Sequence, residues 1–125
     1  MGRALNPALV EGQMQGGTAQ GIGWALLEEM AYDENGQLRS GTFAEYTLPS
    51  AELVPAIDTL IVEVPAPDGP FGAKGVGEPP VIGVPPAIAN AIAAASGARM
   101  RELPMTPQRI WSALRGRDLA GVGST

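Results

Sequence analysis

The sequence predicts an α+β fold with about three helices and a few short strands. Three observations support this prediction. Apolar residues recur three and four positions apart within residues 11–30, which is the period of a helix with one buried face. Residues 57–64 place apolar and polar side chains on alternate faces, which is the period of a strand. Prolines and glycines separate these stretches and mark turns and loops.

The first predicted helix lies within residues 11–30. Gly21 and Gly23 reduce its width, so another backbone or a ligand can approach closely, and we favour close packing of a second element. Each glycine costs about 1 kcal/mol of helix propensity relative to alanine, so tertiary packing has to stabilise this helix. The two tryptophans, Trp24 and Trp111, are expected to be buried rather than to stack on a substrate.

Two further helices are predicted from their end signals. Residues 86–96 are rich in alanine, begin with proline and precede Gly97, which is expected to end the helix in the left-handed conformation. Thr106 and Pro107 have the residue types of an N-cap and a first helical position, which predicts a last helix through about Arg115.

The segments between these helices are expected to be turns, strands and one loop. Residues 33–36, Asp-Glu-Asn-Gly, predict a tight turn. Residues 42–48 and 57–64 have strand composition. Residues 65–86 contain so many prolines and glycines that we predict one long loop there.

Length and composition limit the chain to a single domain. It has 125 residues and a mass of 12.9 kDa. It contains 17 glycines and 12 prolines, and only six aromatic residues that could fill a core. We therefore predict one domain over residues 1–116, a disordered tail over 117–125, and dependence on a partner for stability.

The residue types that are missing exclude several classes of chemistry. There is no cysteine and no histidine, so the chain itself offers no zinc site, thiolate-bound iron–sulfur cluster, cysteine nucleophile or histidine base, and no metal ligands are predicted. Residues 1–98 carry 3 basic and 11 acidic side chains, which argues against nucleic-acid binding. No apolar run approaches a membrane span and no signal peptide is recognised, so we expect no membrane partner and a cytoplasmic location.

The loop over residues 68–80 concentrates the residues suited to chemistry. Its four glycines, the only lysine of the chain and a carboxylate are Gly69, Gly72, Gly75, Gly77, Lys74 and Glu78. Glycines leave backbone N–H groups accessible to an anion, and the prolines after Glu78 are expected to hold that residue extended. The Walker and GxGxxG patterns are absent. Composition alone leaves two interpretations open, a solvated surface loop or a functional one.

Four segments, in order, resemble one enzyme family. The strings EGQMQGGTAQGIGWALLEE, GAKGVGEPP, PPAIANAI and TPQRIW are similar to the C-terminal part of the molybdopterin-binding large subunit of the xanthine dehydrogenase and aldehyde oxidase family. The resemblance covers residues 2–114 and implies an incomplete portion of the family's second molybdenum-cofactor-binding domain. The family pattern extends upstream of Met1, so we expect the chain to correspond to the interior of a longer domain.

The resemblance also implies roles for individual residues. Glu78 would be the catalytic base for water-dependent hydroxylation of an aldehyde or aromatic heterocycle. The residues implied to contact the cofactor are Gln13, Gly16, Gly17, Lys74, Gly75, Val76 and Gly77. The region of Gln13, Gly16 and Gly17, and the helix start that follows it, would approach the phosphate or dinucleotide end of the cofactor. Gln13 has an alternative role as a cap of nearby backbone, and Lys74 an alternative as the partner of a carboxylate.

Cofactors and partners follow from the same resemblance. It implies the molybdenum cofactor, as molybdopterin or its cytosine dinucleotide form, with iron–sulfur clusters and FAD only on partner chains. The implied partners are the upstream part of the large subunit, an iron–sulfur subunit, a flavin subunit and a small-molecule substrate. Two alternatives remain open: a non-catalytic truncated remnant of such a subunit, and a free-standing anion-binding module.

Overall fold

The computed structural model describes residues 1–119, which form four α-helices connected by irregular segments. The helices are α1 (Pro7–Leu26), α2 (Pro79–Ile82), α3 (Val84–Ser96) and α4 (Pro107–Leu119), and a short 3₁₀ helix covers Pro70–Gly72. Three of the α-helices have 13 or more residues, as predicted. The predicted strands are wrong: residues 1–119 contain no strand and only an isolated bridge between Tyr32 and Leu38.

The first helix begins earlier and ends earlier than predicted. The Asn6 side chain accepts a hydrogen bond from the Leu9 N–H at 3.2 Å, and Pro7 follows as the first helical residue, so the cap signal lies upstream of residue 11. At the other end, the N–H groups of Leu27 and Glu28 both donate to the carbonyl of Gly23 at 2.9 Å. This shared acceptor ends α1 at Leu26.

Glycines of α1 let α2 and α3 approach its backbone. Gly17 and Gly21 are buried, and a Cβ atom placed on Gly21 would lie 2.6 Å from the Cβ of Val84. A Cβ atom on Gly17 would lie 2.8 Å from the Cβ of Pro80. Real Cβ atoms do not approach this closely, so the packing interpretation of Gly21 is confirmed.

The turn at residues 33–36 is confirmed. Gly36 has a φ of 79°, in the left-handed region that glycine adopts without strain. The Asp33 carboxylate accepts hydrogen bonds from the N–H groups of Asn35 and Gln37, each at 2.9 Å. This side-chain cap closes the turn between Tyr32 and Leu38.

The two segments predicted as strands have no ladder partner. Residues 42–48 form a turn in which Glu45 and Tyr46 donate to the carbonyl of Thr42. Residues 57–64 contain neither helix nor turn, and their backbone pairs only with Met1. A strand requires a ladder of hydrogen bonds with a neighbouring strand. Within residues 1–119 neither segment has such a ladder, because the two bonds with Met1 are too few to form one.

The predicted long loop over residues 65–86 is partly helical. The short 3₁₀ segment Pro70–Gly72 is irregular, because Phe71 and Gly72 have left-handed φ values of 54° and 77°. The prolines after residue 78 begin α2 and those after Val84 occupy the first turn of α3. Proline is compatible with the first helical turn, where its missing N–H has no intrahelical acceptor, so the composition did not exclude helices here.

The end signals of the last two long helices are confirmed. Gly97 has a φ of 73° and its N–H donates to the Ala93 carbonyl at 2.8 Å, which ends α3. The hydroxyl of Thr106 accepts from the N–H of Arg109 at 3.3 Å at the start of α4. The helix continues to Leu119, past the predicted end at Arg115. From residue 120 onward, the predicted tail over 117–125 lies outside the described residues.

The buried core is small for a chain of this length. The buried apolar side chains within the described part are Val10, Ala25, Ala98 and Met105. Large apolar side chains such as Leu60 and Phe43 are 80% and 83% exposed. Monomeric soluble proteins rarely leave apolar surface of this extent uncovered. The fold therefore presents apolar surfaces that fit contact with further polypeptide.

One apolar stretch also meets a simple test for a membrane-crossing helix. Pro79–Ser96, which joins α2 and α3, has 18 residues and a mean hydropathy of 1.2. Length and composition are weak evidence for a membrane span, since core helices of soluble proteins and signal sequences meet the same criteria. Only 6% of the stretch is buried, so it belongs to the uncovered apolar surface.

An ion pair connects the segment that follows α1 to α4. The Arg109 Nη2 atom lies 2.6 Å from Glu29 Oε1, and its Nη1 donates to the Pro104 carbonyl at 2.9 Å. Both side chains are more than a third exposed, so solvent weakens the attraction.

We expect Glu29→Gln to lower the free energy of unfolding by about 1 kcal/mol or less, and by less still at high salt. Urea unfolding at two salt concentrations, with Glu52→Gln as control, measures this; a larger loss at high salt would contradict it.

The phenol of Tyr46 is expected to titrate at unusually alkaline pH. Its hydroxyl donates to Glu28 Oε2 at 2.8 Å, and this hydrogen bond, with the nearby carboxylate charge, raises the pKa of Tyr46 above 10.0. The bond therefore contributes stability at pH values below about 10 and is lost as pH rises through the raised pKa. Absorbance titration of the phenolate, assigned with Tyr46→Phe, should show the alkaline shift of the Tyr46 pKa, and Glu28→Gln, which removes the carboxylate charge, should reduce it.

Candidate functional site

The glycine-rich loop over residues 72–78 lies against the middle of α1. Pro80, at the start of α2, packs on Gly17. Gly77 lies beside Gln13, since a Cβ atom placed on Gly77 would be 3.1 Å from Gln13 Oε1. The structure thus brings together two segments that are about sixty residues apart in the sequence. Gln13, Gly17 and Gly77, three of the predicted site residues, meet at this contact.

Glu78 occupies the residue before α2. Its backbone has φ −86° and ψ −34°, and its carbonyl accepts from the N–H of Val81 at 3.0 Å. The prediction of an extended backbone here is wrong, because residue 78 takes part in starting the helix despite the following proline. The Glu78 side chain is exposed on the surface of the described chain. Its backbone is positioned by α2, which packs in turn on Gly17 and Gly21.

Three consecutive backbone N–H groups precede this carboxylate. Within residues 1–119, the N–H groups of Gly75, Val76 and Gly77 have no hydrogen-bond acceptor. A Cβ atom on Gly75 would have no atom within 4 Å, so the space next to it is open. Unpaired N–H groups in an open, side-chain-poor loop can bind an anionic or hydrogen-bond-accepting group. The loop therefore fits a cofactor that carries anionic or hydrogen-bond-accepting atoms.

The N-terminal segment anchors the beginning of the loop. The Arg3 N–H donates to the Gly72 carbonyl at 2.8 Å, and a Cβ atom on Gly2 would lie 2.5 Å from the backbone nitrogen of Lys74. The Lys74 side chain is exposed and, within the described part of the chain, forms no ion pair. Among residues 1–116, no carboxylate partner for Lys74 is observed.

The helix start predicted at Gly16 and Gly17 is wrong, while their contact with the cofactor stays a prediction. Gly16 and Gly17 lie inside α1, ten residues after its start, so they do not form a helix N-terminus that could bind an anion. Gly16 also faces away from the loop, towards a cavity of about 420 Å³ beside Val54 and Pro55. Gly17 contacts Pro80 and serves helix packing. The cap signal at Asn6, upstream of residue 11, explains the difference.

The tryptophans are also less buried than predicted. Trp24 is 48% exposed and Trp111 is 57% exposed, and the Arg115 guanidinium lies 4.4 Å from the centre of the Trp111 ring. Both belong to the uncovered apolar surface. Among the described residues, no group of three or more carboxylate, histidine or cysteine side chains is placed to hold a metal ion.

An apolar cavity adjoins the loop that the sequence did not reveal. It has a volume of about 400 Å³ and lies between α1, residues 57–62 and the loop. From α1 it is lined by Met14 and Thr18, and from the loop by Gly75 and Val76. Met14 and Thr18 are one helical turn apart, which could have marked a shared face, but nothing in the sequence placed residues 57–62 opposite them.

Comparison with known proteins gives a consistent result. Residues 1–55 match the family model of a molybdopterin cofactor-binding domain. The gamma subunit of the 6-hydroxypseudooxynicotine dehydrogenase complex of Paenarthrobacter nicotinovorans is 45% identical over 95% of this chain and 15% of its own length. A putative xanthine dehydrogenase molybdenum-binding subunit of Escherichia coli K12 is 42% identical over 88% of this chain and 15% of its own length.

Solved structures agree with the sequence comparison. Quinoline 2-oxidoreductase from Pseudomonas putida 86 has a TM-score of 0.85 and 40% identity, with 91% of this chain and 15% of that chain covered. The CO dehydrogenase of Oligotropha carboxidovorans has a TM-score of 0.84 and 34% identity, with 95% and 15% covered. The chain thus spans about 15% of the length of these relatives. It belongs to the xanthine dehydrogenase and aldehyde oxidase family, and it corresponds to a segment of the family's molybdopterin-binding large subunit.

Proposed function

We propose that this segment supplies the catalytic base and part of the molybdopterin site of a molybdenum hydroxylase, with Glu78 as the base. The observation that carries the proposal is the position of the Glu78 carboxylate directly after three unpaired backbone N–H groups, Gly75 to Gly77. A group bound by those N–H groups would lie next to the residue that begins α2 and carries this carboxylate. The proposed substrate class is an aldehyde or an aromatic heterocycle, hydroxylated with oxygen from water.

The proposed contacts to the cofactor come from backbone and from one amide side chain. The N–H groups of Gly75, Val76 and Gly77 would donate to its acceptor atoms, and the exposed Gln13 amide, beside Gly77, would add a polar contact. Lys74 would contribute positive charge at the start of the row. Gly17 would act through packing, since it allows Pro80 to sit on α1 and so fixes the loop.

Proton transfer is the proposed task of Glu78. When bound, the molybdenum cofactor supplies the redox centre that receives two electrons from the substrate carbon as that carbon gains oxygen from water. The Glu78 carboxylate would accept the proton that the water-derived hydroxyl loses as its oxygen bonds to carbon. Positioned general bases contribute about 10²–10⁴-fold to rate. The chain contains no histidine that could perform this step instead.

The remaining parts of the enzyme are proposed to lie on other polypeptide. The relatives are named as subunits and large chains, which suits a role within a larger assembly. We propose that the upstream part of the large subunit completes the cofactor and substrate sites. Iron–sulfur and flavin subunits would then remove the electrons, because this chain has no cysteine to hold a cluster.

Substitution of Gly75 tests the proposed cofactor contact. Because no atom lies within 4 Å of a Cβ atom at this position, Gly75→Leu should leave the stability of the chain unchanged within about 0.5 kcal/mol. In the assembled enzyme, the leucine side chain would occupy the space of the cofactor, and we expect the molybdenum content to fall by about tenfold or more.

The measurement uses this chain co-expressed with the rest of a related large subunit and its iron–sulfur subunit, with metal determined by elemental analysis. Gly116→Leu is the matched control, since Gly116 is also open but lies on α4, far along the chain from the loop. Equal molybdenum content in both variants would remove the loop from the cofactor site.

A further inference from the structure

The segment over residues 57–64 combines strand-like sequence with an uncovered surface. Leu60, Val62 and Val64, which alternate along it, are 80%, 61% and 58% exposed. Residues 57–64 form neither helix nor turn. In a half-buried strand, alternate apolar side chains of this kind pack against a neighbouring element. The structure therefore presents an apolar ribbon without the element that would cover it.

The backbone of this segment is paired on one edge alone. The Met1 amino group donates to the Val62 carbonyl at 3.2 Å, and the Met1 carbonyl accepts from the Val64 N–H at 2.8 Å. Two bonds to one residue from positions 62 and 64 are the pattern of a parallel pair of strands. In an extended backbone, the N–H and C=O groups of Thr59, Ile61 and Glu63 then point away from Met1, to the opposite edge of the segment.

We call the backbone N–H and C=O groups of Thr59, Ile61 and Glu63 the free edge. Among residues 1–119, none of these groups has a hydrogen-bond partner. The only charged side chain of the free edge, Glu63, is bonded to the N–H of Ala4. Natural proteins protect exposed edges with lysine, proline or bulges, because such edges otherwise pair with any available strand. Residues 59–63 contain no lysine or proline, so the free edge lacks this protection.

The comparison with solved structures indicates what covers it. The same fold occurs with a TM-score of 0.85 inside the Pseudomonas putida 86 chain, of which it is only 15%. Most of that chain is therefore available to surround this fold. Pairing with a second copy of this chain is less favourable, because residues 1–98 carry 11 acidic and 3 basic side chains and two copies would repel each other.

We infer that the free edge receives a β-strand from the part of the molybdopterin-binding large subunit that lies outside this chain. Main-chain hydrogen bonds to Thr59, Ile61 and Glu63 would provide affinity, and apolar side chains of the added strand would cover Leu60 and Val62. This inference rests on the proposed function insofar as the chain acts within a complete large subunit. It adds the place at which the two parts of the subunit join, beside the cavity that adjoins the loop.

Amide hydrogen exchange tests the inference without using activity. The probe is the E. coli K12 relative from which the segment aligned with this chain has been deleted, mixed or co-expressed with the full chain. Exchange is measured at single-residue resolution in the chain alone and in the complex. We expect exchange at Thr59, Ile61 and Glu63 to slow by about tenfold or more in the complex, and exchange in the 33–36 turn to stay unchanged.

Two proline variants identify the edge. Ile61→Pro removes an N–H from the free edge and should weaken association by about tenfold or more. Val62→Pro is the matched control, because its N–H points to the Met1 edge and has no acceptor among the described residues, and because proline keeps an apolar side chain for the added strand to cover. Association of this variant should therefore change by less than about threefold. Circular dichroism of both variants verifies the helix content, and the wild-type exchange result does not depend on how either variant folds.

Each contrary result overturns the inference. Failure of the two parts to associate, association without slower exchange at the free edge, or equal weakening by both prolines would all reject an added strand. If the chain alone forms a dimer and already shows slow exchange at Thr59, Ile61 and Glu63, the free edge would be assigned to pairing with a second copy. The proposed function is judged separately. If Glu78→Gln loses turnover but exchange at the free edge does not slow, Glu78 remains the base and the added strand is rejected. If exchange at the free edge slows but Glu78→Gln keeps its turnover, the added strand remains and Glu78 is rejected as the base.

Discussion

Glu78→Gln is expected to reduce turnover by about 10²–10⁴-fold in the assembled enzyme while its molybdenum content stays the same. Glutamine has nearly the shape of glutamate and cannot accept the proton. The carboxylate makes no hydrogen bond within the described part of the chain, so its replacement removes no structural contact there. The reduction should appear in kcat/KM and in kcat, since a missing base affects the chemical step rather than substrate affinity.

The measurement is dye reduction by the co-expressed complex with a panel of aldehydes and purines, together with elemental analysis for molybdenum. Glu52→Gln is the matched control, because Glu52 is an exposed glutamate outside the loop and the same charge is removed. Turnover equal to the wild type would exclude Glu78 as the base. Loss of metal together with turnover would assign Glu78 to assembly of the site.

Gly21→Ala should destabilise the packing of α2 and α3 on α1. A Cβ atom at Gly21 would lie 2.6 Å from the Cβ of Val84 and 3.1 Å from the carbonyl oxygen of Val81, which is backbone and cannot rotate away. We expect the free energy of unfolding to fall by about 1–3 kcal/mol, the range for overpacking a filled site. Since α2 begins directly after Glu78, the displacement of α2 should also lower turnover.

Gly12→Ala makes the same chemical change in the same helix and serves as control. No atom lies within 4 Å of a Cβ atom at Gly12, so only the helix propensity changes, and we expect stabilisation of up to about 1 kcal/mol. Urea unfolding followed by circular dichroism measures both variants. Stabilisation by both substitutions would show that α2 and α3 do not pack on Gly21 as described.

The helices were largely predictable because their signals are local. Thr106 and Gly97 mark helix ends through bonds to residues no more than four positions away, and both act as predicted. The turn at residues 33–36 is local in the same way. The strands were not predictable as elements of this chain, because alternation along residues 57–64 indicates an extended ribbon but not the presence of its partner.

The candidate site was also predictable only where its signals are local in the sequence. Its glycine-rich loop, Lys74 and Glu78 could be identified from residue types and from the family resemblance. The wrong assignment of Gly16 and Gly17 to a helix start arose because Asn6 and Pro7 begin α1 earlier than its glycine pair suggests. The cavity beside Met14 could not be found, since its walls come from three segments distant in sequence.

By itself, the sequence determined the three long helices, the turn at residues 33–36, the absence of cysteine and histidine chemistry, and the family to which the chain belongs. Only the tertiary structure decided that Gly17 and Gly21 seat α2 and α3, that Gln13 meets Gly77, and that residues 59–63 keep an unpaired edge. The physical reason is range. Caps and turns depend on neighbours within a few residues, whereas close packing and strand pairing depend on which distant backbone arrives, and for this chain part of that backbone is proposed to lie on the rest of the large subunit.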